Sequence, residues 1–205
     1  MHRLFSLAFL LAVLSVLAPA AAAQDATPPV DLVAPAPAGC QVEPRTLDAL
    51  AAFLATLAAE AATPDIAAGT PVSFVAPAGE PADPATVAGV TATATELFAC
   101  YNANDYLRVF ALFTDEYLAR SFVDEGMTEE ALGFFGMPPE ARPADAWESI
   151  AVRDVRLLAD GRVGAFLVGH NPEGDGVDFV DYTVFVERDG RYLIDDVVFL
   201  GGDDA

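Results

Sequence analysis

From residue 46 to residue 62, Leu47, Leu50, Leu54 and Leu57 recur at spacings of 3, 4 and 3, with Phe53 beside them. That period draws one apolar stripe along a helix. Pro44 suits its start and Pro64 ends it. A second helical pattern opens at Asp83-Pro84, an N-cap followed by a proline at the first helical position. Val87, Val90, Ala94, Leu97, Phe98 and Tyr101 form its apolar side. The pattern breaks at Tyr101-Asn102-Ala103-Asn104-Asp105, where Asp105 can cap a new helix. That helix carries Tyr106, Val109, Phe110, Phe113 and Tyr117. A short helix is predicted after Thr128, over residues 129–135, followed by a proline-rich loop over 137–146.

Beyond that loop the pattern becomes strand-like. Segments 148–158, 162–170, 177–188 and 191–200 are rich in Val, Ile, Phe and Tyr. Asp160-Gly161 and Asp189-Gly190 are tight-hairpin signals, and the connection 171–176 is longer. Four sequential strands joined in this way make an antiparallel meander. Residues 72–76, enclosed by Pro71 and Pro77, are limited by those prolines to a short edge strand. Helices first and sheet last is an α+β order. The expected fold is a set of helices packed on a four-stranded antiparallel sheet, with an extra N-terminal helix.

The first residues change the picture from fold to location. Met1-His2-Arg3 is a short positive start, residues 4–17 are almost wholly apolar, and 18–23 supply small residues for cleavage before Gln24. This is the pattern of an export signal over residues 1–23. The apolar run falls short of the ~20 residues that span a bilayer; retention as an N-terminal membrane anchor is the alternative. Residues 24–39 (QDATPPVDLVAPAPAG) have no period and are read as a flexible spacer. Residues 40–82 form an N-terminal helical extension, 83–200 the main domain, and 201–205 an acidic tail. The expectation is a secreted protein with no stable membrane insertion after cleavage.

Composition narrows the partners. The formal charge is −21, and all ten basic residues are Arg. Such a surface repels nucleic acid and anionic membranes. It suits a cationic partner, divalent ions or simple solubility. In an exported chain, Cys40 and Cys100 read as a disulfide, which would clamp the extension onto the first helix of the domain. Closing a loop of that size stabilises by about 4 kcal/mol in the chain-entropy model.

Two motifs carry a family resemblance. One is Asn102-Ala103-Asn104-Asp105 followed by Ala111-Leu112-Phe113-Thr114-Asp115-Glu116; the other is Asp189-Gly190-Arg191-Tyr192-Leu193-Ile194-Asp195. Over residues 83–200 the chain resembles the nuclear transport factor 2-like superfamily, also called SnoaL-like or the cystatin-like cone fold. The resemblance implies a cone-shaped domain with a curved sheet and a cavity, and a homodimer through the sheet is one expected partner of this chain. The superfamily holds isomerases, cyclases, dehydratases and hydrolases beside binding domains without catalysis, so fold does not decide activity. Ketosteroid-isomerase-like members carry a tyrosine where this chain has Leu97, and an Asp-Pro where it has Ser121-Phe122-Val123. Those departures argue against that isomerase, and no catalytic residue is carried over.

The candidate chemistry is sparse. His170 is the only histidine after the leader, and a lone His is either a general base or a strand-end hydrogen-bonding residue. Strict alternation puts Tyr192, Ile194, Asp196 and Val198 on one face of the last strand, with Asp195 on the other. Asp196, and Asp181 among Phe179, Thr183 and Phe185, are either cavity carboxylates that titrate high or acids at the cavity mouth. Tyr101, Phe110, Phe113, Tyr117, Trp147, Tyr182 and Tyr192 are core or the wall of a pocket for a small hydrophobic ligand. The acidic stretch 171–178 partly matches the start of a calcium loop, but Tyr182 stands where the closing acid belongs, so no metal site is assigned. No Walker, dinucleotide or Cys/His metal pattern occurs, and no cofactor is implied. The leading expectation is a non-catalytic binding or interaction domain. Its rivals are a small-molecule enzyme working from a cavity carboxylate and an acidic interaction module with a closed core.

Overall fold

A computed structural model of the chain describes residues 31–60, 74–173 and 177–200. Residues 1–30, 61–73, 174–176 and 201–205, and with them the expected export signal, the first part of the expected spacer and the expected acidic tail, lie outside the described residues. Helix α1 spans Leu47–Glu60, β1 Gly79–Pro81, α2 Pro84–Asn102, α3 Tyr106–Phe110, α4 Asp115–Asp124 and α5 Glu129–Phe135. Strands β2 (Ser149–Leu158), β3 (Val163–Asn171), β4 (Val177–Arg188) and β5 (Arg191–Phe199) follow. The fold is α+β, with one antiparallel sheet ordered β1-β2-β3-β4-β5.

The sheet has five strands rather than four. The expected edge strand at 72–76 lies partly outside the described residues; from Phe74 to Ala78 the chain is irregular, and the pairing falls on Gly79–Pro81 against Arg156–Leu158. Pro77 lacks the donor a ladder needs, so pairing starts after it, and Pro81 closes it on an edge where a missing N–H costs little.

Caps set most helix starts. Asp83 accepts from the backbone N–H of Ala85 and Thr86 at 2.9 and 3.2 Å, with Pro84 behind it. Asp105, Thr114 and Thr128 cap α3, α4 and α5 in the same way. The single helix expected from Tyr106 through Tyr117 is two. Leu112–Thr114 leaves the helix to pair with the edge of β5: the Ile194 N–H donates to Leu112 at 2.8 Å and the Thr114 N–H donates to Ile194 at 2.9 Å. Helix propensity yields here to an unpaired sheet edge, whose backbone groups need partners.

The helices cover one face of the sheet. Phe185, Ile194, Val163, Ala165, Leu167 and Ile150 point into them and meet Val90, Ala94, Phe98, Leu112, Leu118 and Leu132 in the main core. The opposite face holds a smaller cluster of Leu158, Tyr182 and Val184, covered in part by Phe74 and Ala76.

The N-terminal segment is tied down. Cys40 and Cys100 form the disulfide, closing a separation of 60 residues. Arg108 donates to the carbonyl of Val42 at 2.7 Å, and Arg45 to those of Phe110 and Phe113 at 2.9 and 3.1 Å. The stretch 24–39 expected as a flexible spacer is docked over its last residues, since Val33 pairs with Ile150 through two backbone hydrogen bonds. The extension therefore begins by Val33, before Cys40. Its proline spacing carries no helix or strand period, and tertiary hydrogen bonds hold it instead.

Candidate functional site

Strand β4 carries the row Phe179, Asp181, Thr183, Phe185 on its helix-covered face. The register fixes this: Leu167, Asp181 and Phe199 lie side by side across β3, β4 and β5, as do Ala165, Thr183 and Val197. Asp181 is half-buried, and no hydrogen bond or ion pair reaches its carboxylate among the described residues. Burial alone pushes its pKa up to about 6. Thr183, fully buried beside it, also leaves its hydroxyl without a partner.

Aromatic rings line this row from the helix side. Phe98 of α2 stacks on Phe179 at 5.8 Å, with the planes 8° apart, and meets Tyr101 edge-on at the same distance. Phe179 lies across Gly169, where a Cβ would come within 2.2 Å of the ring, so only glycine fits there. Tyr117 of α4 stacks on Phe113 at 4.9 Å. The Tyr101 phenol is held well above its ordinary range by burial first, then by Glu148 and its neighbours, Asp181 among them. Burial also raises Tyr117, with Glu125, Asp196 and Asp181 adding to it. The site is thus a half-exposed carboxylate without a protein partner among the described residues, beside a buried unpartnered hydroxyl, against an aromatic wall. Phe199, 74% exposed beside Asp181, leaves this end of the row open toward solvent.

The other candidates separate. Asp196 does not share a face with Ile194. A bulge at Asp195 breaks the alternation, so Ile194 and Val197 face the helices while Asp196 pairs with Val184 on the opposite face. There Asp196 is 3.4 Å from Arg120. Asp195 accepts from Thr114 at 3.0 Å and pairs with Arg162 at 2.9 Å. His170 is on that opposite face too, exposed, with Nδ1 2.7 Å from its cross-strand neighbour Asp178. Neither residue meets Asp181.

The seven aromatic candidates split likewise. Tyr101, Phe110, Phe113 and Tyr117 pack in or against the main core. Phe110 stands edge-on to Phe122 and Phe135, away from the β4 row. Tyr192 lies at the far end of β5, its ring over Gly89 and its hydroxyl 3.3 Å from Thr86. Trp147 donates its indole N–H to the Arg142 carbonyl at 2.9 Å and braces the loop. Tyr182 belongs to the opposite face, pressed between Phe74 and Phe166, with its hydroxyl buried against Gly164 and unpartnered.

One buried polar network has no counterpart in the sequence reading. Asn102, at the end of α2, donates to the carbonyls of Pro35 and Glu148 and accepts from the Glu148 N–H at 2.8 Å. The Glu148 carboxylate pairs with Arg142 at 2.7 Å and accepts from Asn171 at 3.2 Å. The network ties the N-terminal segment, the helix break, the proline loop, β2 and β3 together. Its only sequence trace is Asn102 in the helix break. Glu148 and Arg142 follow no spacing rule.

A groove of about 930 Å³ runs along α2 from Pro84 to Glu96 and includes none of these residues. Ala, Thr and Val line it, and its one carboxylate, Glu96, is already held by Gln41 and Arg191. Besides Glu96 its polar lining is Gln41 and the hydroxyls of Thr91 and Thr95, with no unpaired charge. Among the described residues there is no cluster of three or more potential metal ligands, and no helix is long and apolar enough to cross a membrane. No protein-family model, curated protein or solved structure matches the chain.

Proposed function

We propose that this chain is an exported, nuclear transport factor 2-like binding domain that takes a small, largely apolar ligand on the helix-covered face of its sheet, around Asp181. The carrying observation is the half-exposed Asp181 carboxylate, without a protein partner among the described residues, next to the buried unpartnered hydroxyl of Thr183 and set against Phe98, Phe179, Tyr101 and Tyr117. Polar groups left unpaired in an apolar wall cost stability, and a ligand that pairs them recovers it. Apolar walls with a few orienting polar groups are the usual make-up of small-molecule sites. The leader-like residues 1–23, the disulfide and the Asn102–Asp105 and Asp189–Asp195 motifs support export and the cone-type fold.

A second reading uses the same carboxylate as a general base, in an isomerase, cyclase or hydrolase of the SnoaL-like type. A carboxylate raised to about 6 is suited to accept a proton near neutral pH. Of the three candidates for that role, only Asp181 faces the helices. Binding is preferred because no acid or hydrogen-bond donor is paired with it to complete a proton relay. Pairing of two copies through the other face of the sheet would have to displace or include Phe74 and Ala76.

Native mass spectrometry of the mature protein, purified from its own host, tests the reading. A discrete extra mass that leaves on denaturation, and is missing from Asp181→Asn, is expected. A bare chain in both, with the disulfide intact, points instead to an interaction module with a closed core.

A further inference from the structure

Resting on that reading, we infer that the ligand is an apolar cation, a hydrophobic amine whose ammonium pairs with Asp181 while its body lies against Phe179 and the exposed Phe199. Three observations converge. First, Asp181 is the half-buried carboxylate within the helix-covered row of β4, whose other acid, Glu187, ends the row exposed, and among the described residues no cation of the protein is seated on Asp181. Arg120, which lies 5.9 Å from the centroid of the Tyr117 ring, is turned to the Asp195 carbonyl at 2.7 Å and to Asp196. Arg142 is engaged by Glu148, and Arg162 by Asp160 and Asp195. These three have their own partners, and an ammonium supplied by a guest can fill the position.

Second, the surroundings favour a cation over a neutral donor. Tyr101 and Tyr117 lie close enough to Asp181 to feel its charge, and Phe179, backed by the buried Phe98, and the exposed Phe199 flank it. Aromatic faces attract ammonium groups, more strongly when water is excluded. An anionic guest would meet the Asp181 carboxylate. A neutral alcohol could donate to the carboxylate but would leave its charge uncompensated. Third, the formal charge of −21 concentrates cations around the whole chain and disfavours anions. That field raises encounter rates but does not select a site. Selection comes from the unpaired carboxylate.

The test is calorimetric titration of the intact, disulfide-bonded protein at neutral pH and about 0.15 M salt, where long-range attraction is screened. The probes are 4-phenylbutylamine and its neutral counterpart 4-phenylbutan-1-ol. The amine should bind the wild type about tenfold or more tighter than the alcohol, as expected for one desolvated charge pair. Asp181→Asn should remove that preference while still taking the alcohol. Asp196→Asn, altered on the opposite face, should keep it, which separates a site effect from net charge. Circular dichroism and thermal melting confirm that each variant is folded. Equal binding of amine and alcohol by the wild type overturns the cation assignment and leaves the binding function standing. Loss of the preference in Asp196→Asn as well overturns it too, by assigning it to bulk charge. Binding of neither probe overturns both readings.

Discussion

On the helix-covered face, β4 presents Phe179, Asp181, Thr183 and Phe185; on the other face the same strand presents Val180, Tyr182 and Val184. Both rows contain a buried hydroxyl without a partner, on Thr183 and on Tyr182. They differ in what surrounds it. The Tyr182 hydroxyl is sealed between Gly164, Phe74 and Phe166, and the charges nearest to act on it, Asp154, Asp160 and Arg162, are all held in ion pairs. Thr183 sits next to a carboxylate that keeps a path to solvent beside Phe199. An orphan polar atom alone is therefore weak evidence of a site. An orphan beside an unpaired, half-exposed charge on an aromatic wall is much stronger, because both groups gain from one guest.

The sharpest contrast should be in stability. Phe185 is fully buried at the centre of the helix-covered face, and Phe185→Ala should cost about 3–5 kcal/mol in urea unfolding. Phe74→Ala, on a partly buried residue of the irregular segment over the other face, should cost about 1–2 kcal/mol, since less apolar surface is lost. Equal costs would mean that Phe74–Ala78 is as integral as the main core, and the comparison would break.

Next comes the network at the end of α2. Glu148→Ala leaves Arg142, whose side chain is 11% exposed, without its main partner. The loss should be about 3 kcal/mol, the low end for a broken buried pair, because Asn104 and Glu173 remain near the guanidinium. A loss under about 1 kcal/mol, the value of a surface pair, would show that the network does not fasten the loop and the sheet.

A smaller effect should appear in pH dependence. Asp181 has its pKa raised from 3.8 to about 6 in the fold. The folded state therefore holds this proton more tightly than the unfolded chain. The contribution to stability is complete below pH 3.8 and is lost as pH rises through about 6. Asp181→Asn should remove that downward component, and should be more stable than wild type above pH 6 relative to its standing at pH 3.8. Superimposable pH profiles would show that the carboxylate is solvated like any surface acid. The smallest effect is expected on the other face. Tyr182→Phe deletes a hydroxyl that bonds to nothing and should change stability by less than about 1 kcal/mol, if anything upward. A clear loss would mean that the hydroxyl has a partner.

Much of the fold was legible because its signals are local. Asp83-Pro84 capped α2, Asp105 capped α3, and the two Asp-Gly pairs set hairpins with positive φ at Gly161 and Gly190. What the sequence missed is tertiary. The break at Leu112–Thr114 exists to satisfy the edge of β5, and no residue in it is a strong helix breaker. The bulge at Asp195 reversed the expected facing of Asp196, since one extra residue flips every later side chain. Because that bulge was invisible, Asp196 and Asp181 looked equivalent until the register separated them. The Asn102–Arg142–Glu148 network joins residues far apart in sequence and follows no motif.

The most direct measurement is a carbon-13 NMR titration of the aspartate carboxyl carbons, with the Asp181→Asn spectrum identifying the Asp181 signal. The account predicts a midpoint near 6 in the ligand-free protein, moving downward when 4-phenylbutylamine is added. A midpoint near the ordinary 3.8, unmoved by the amine, would contradict it: Asp181 would then be a hydrated surface acid and the face around it no binding site.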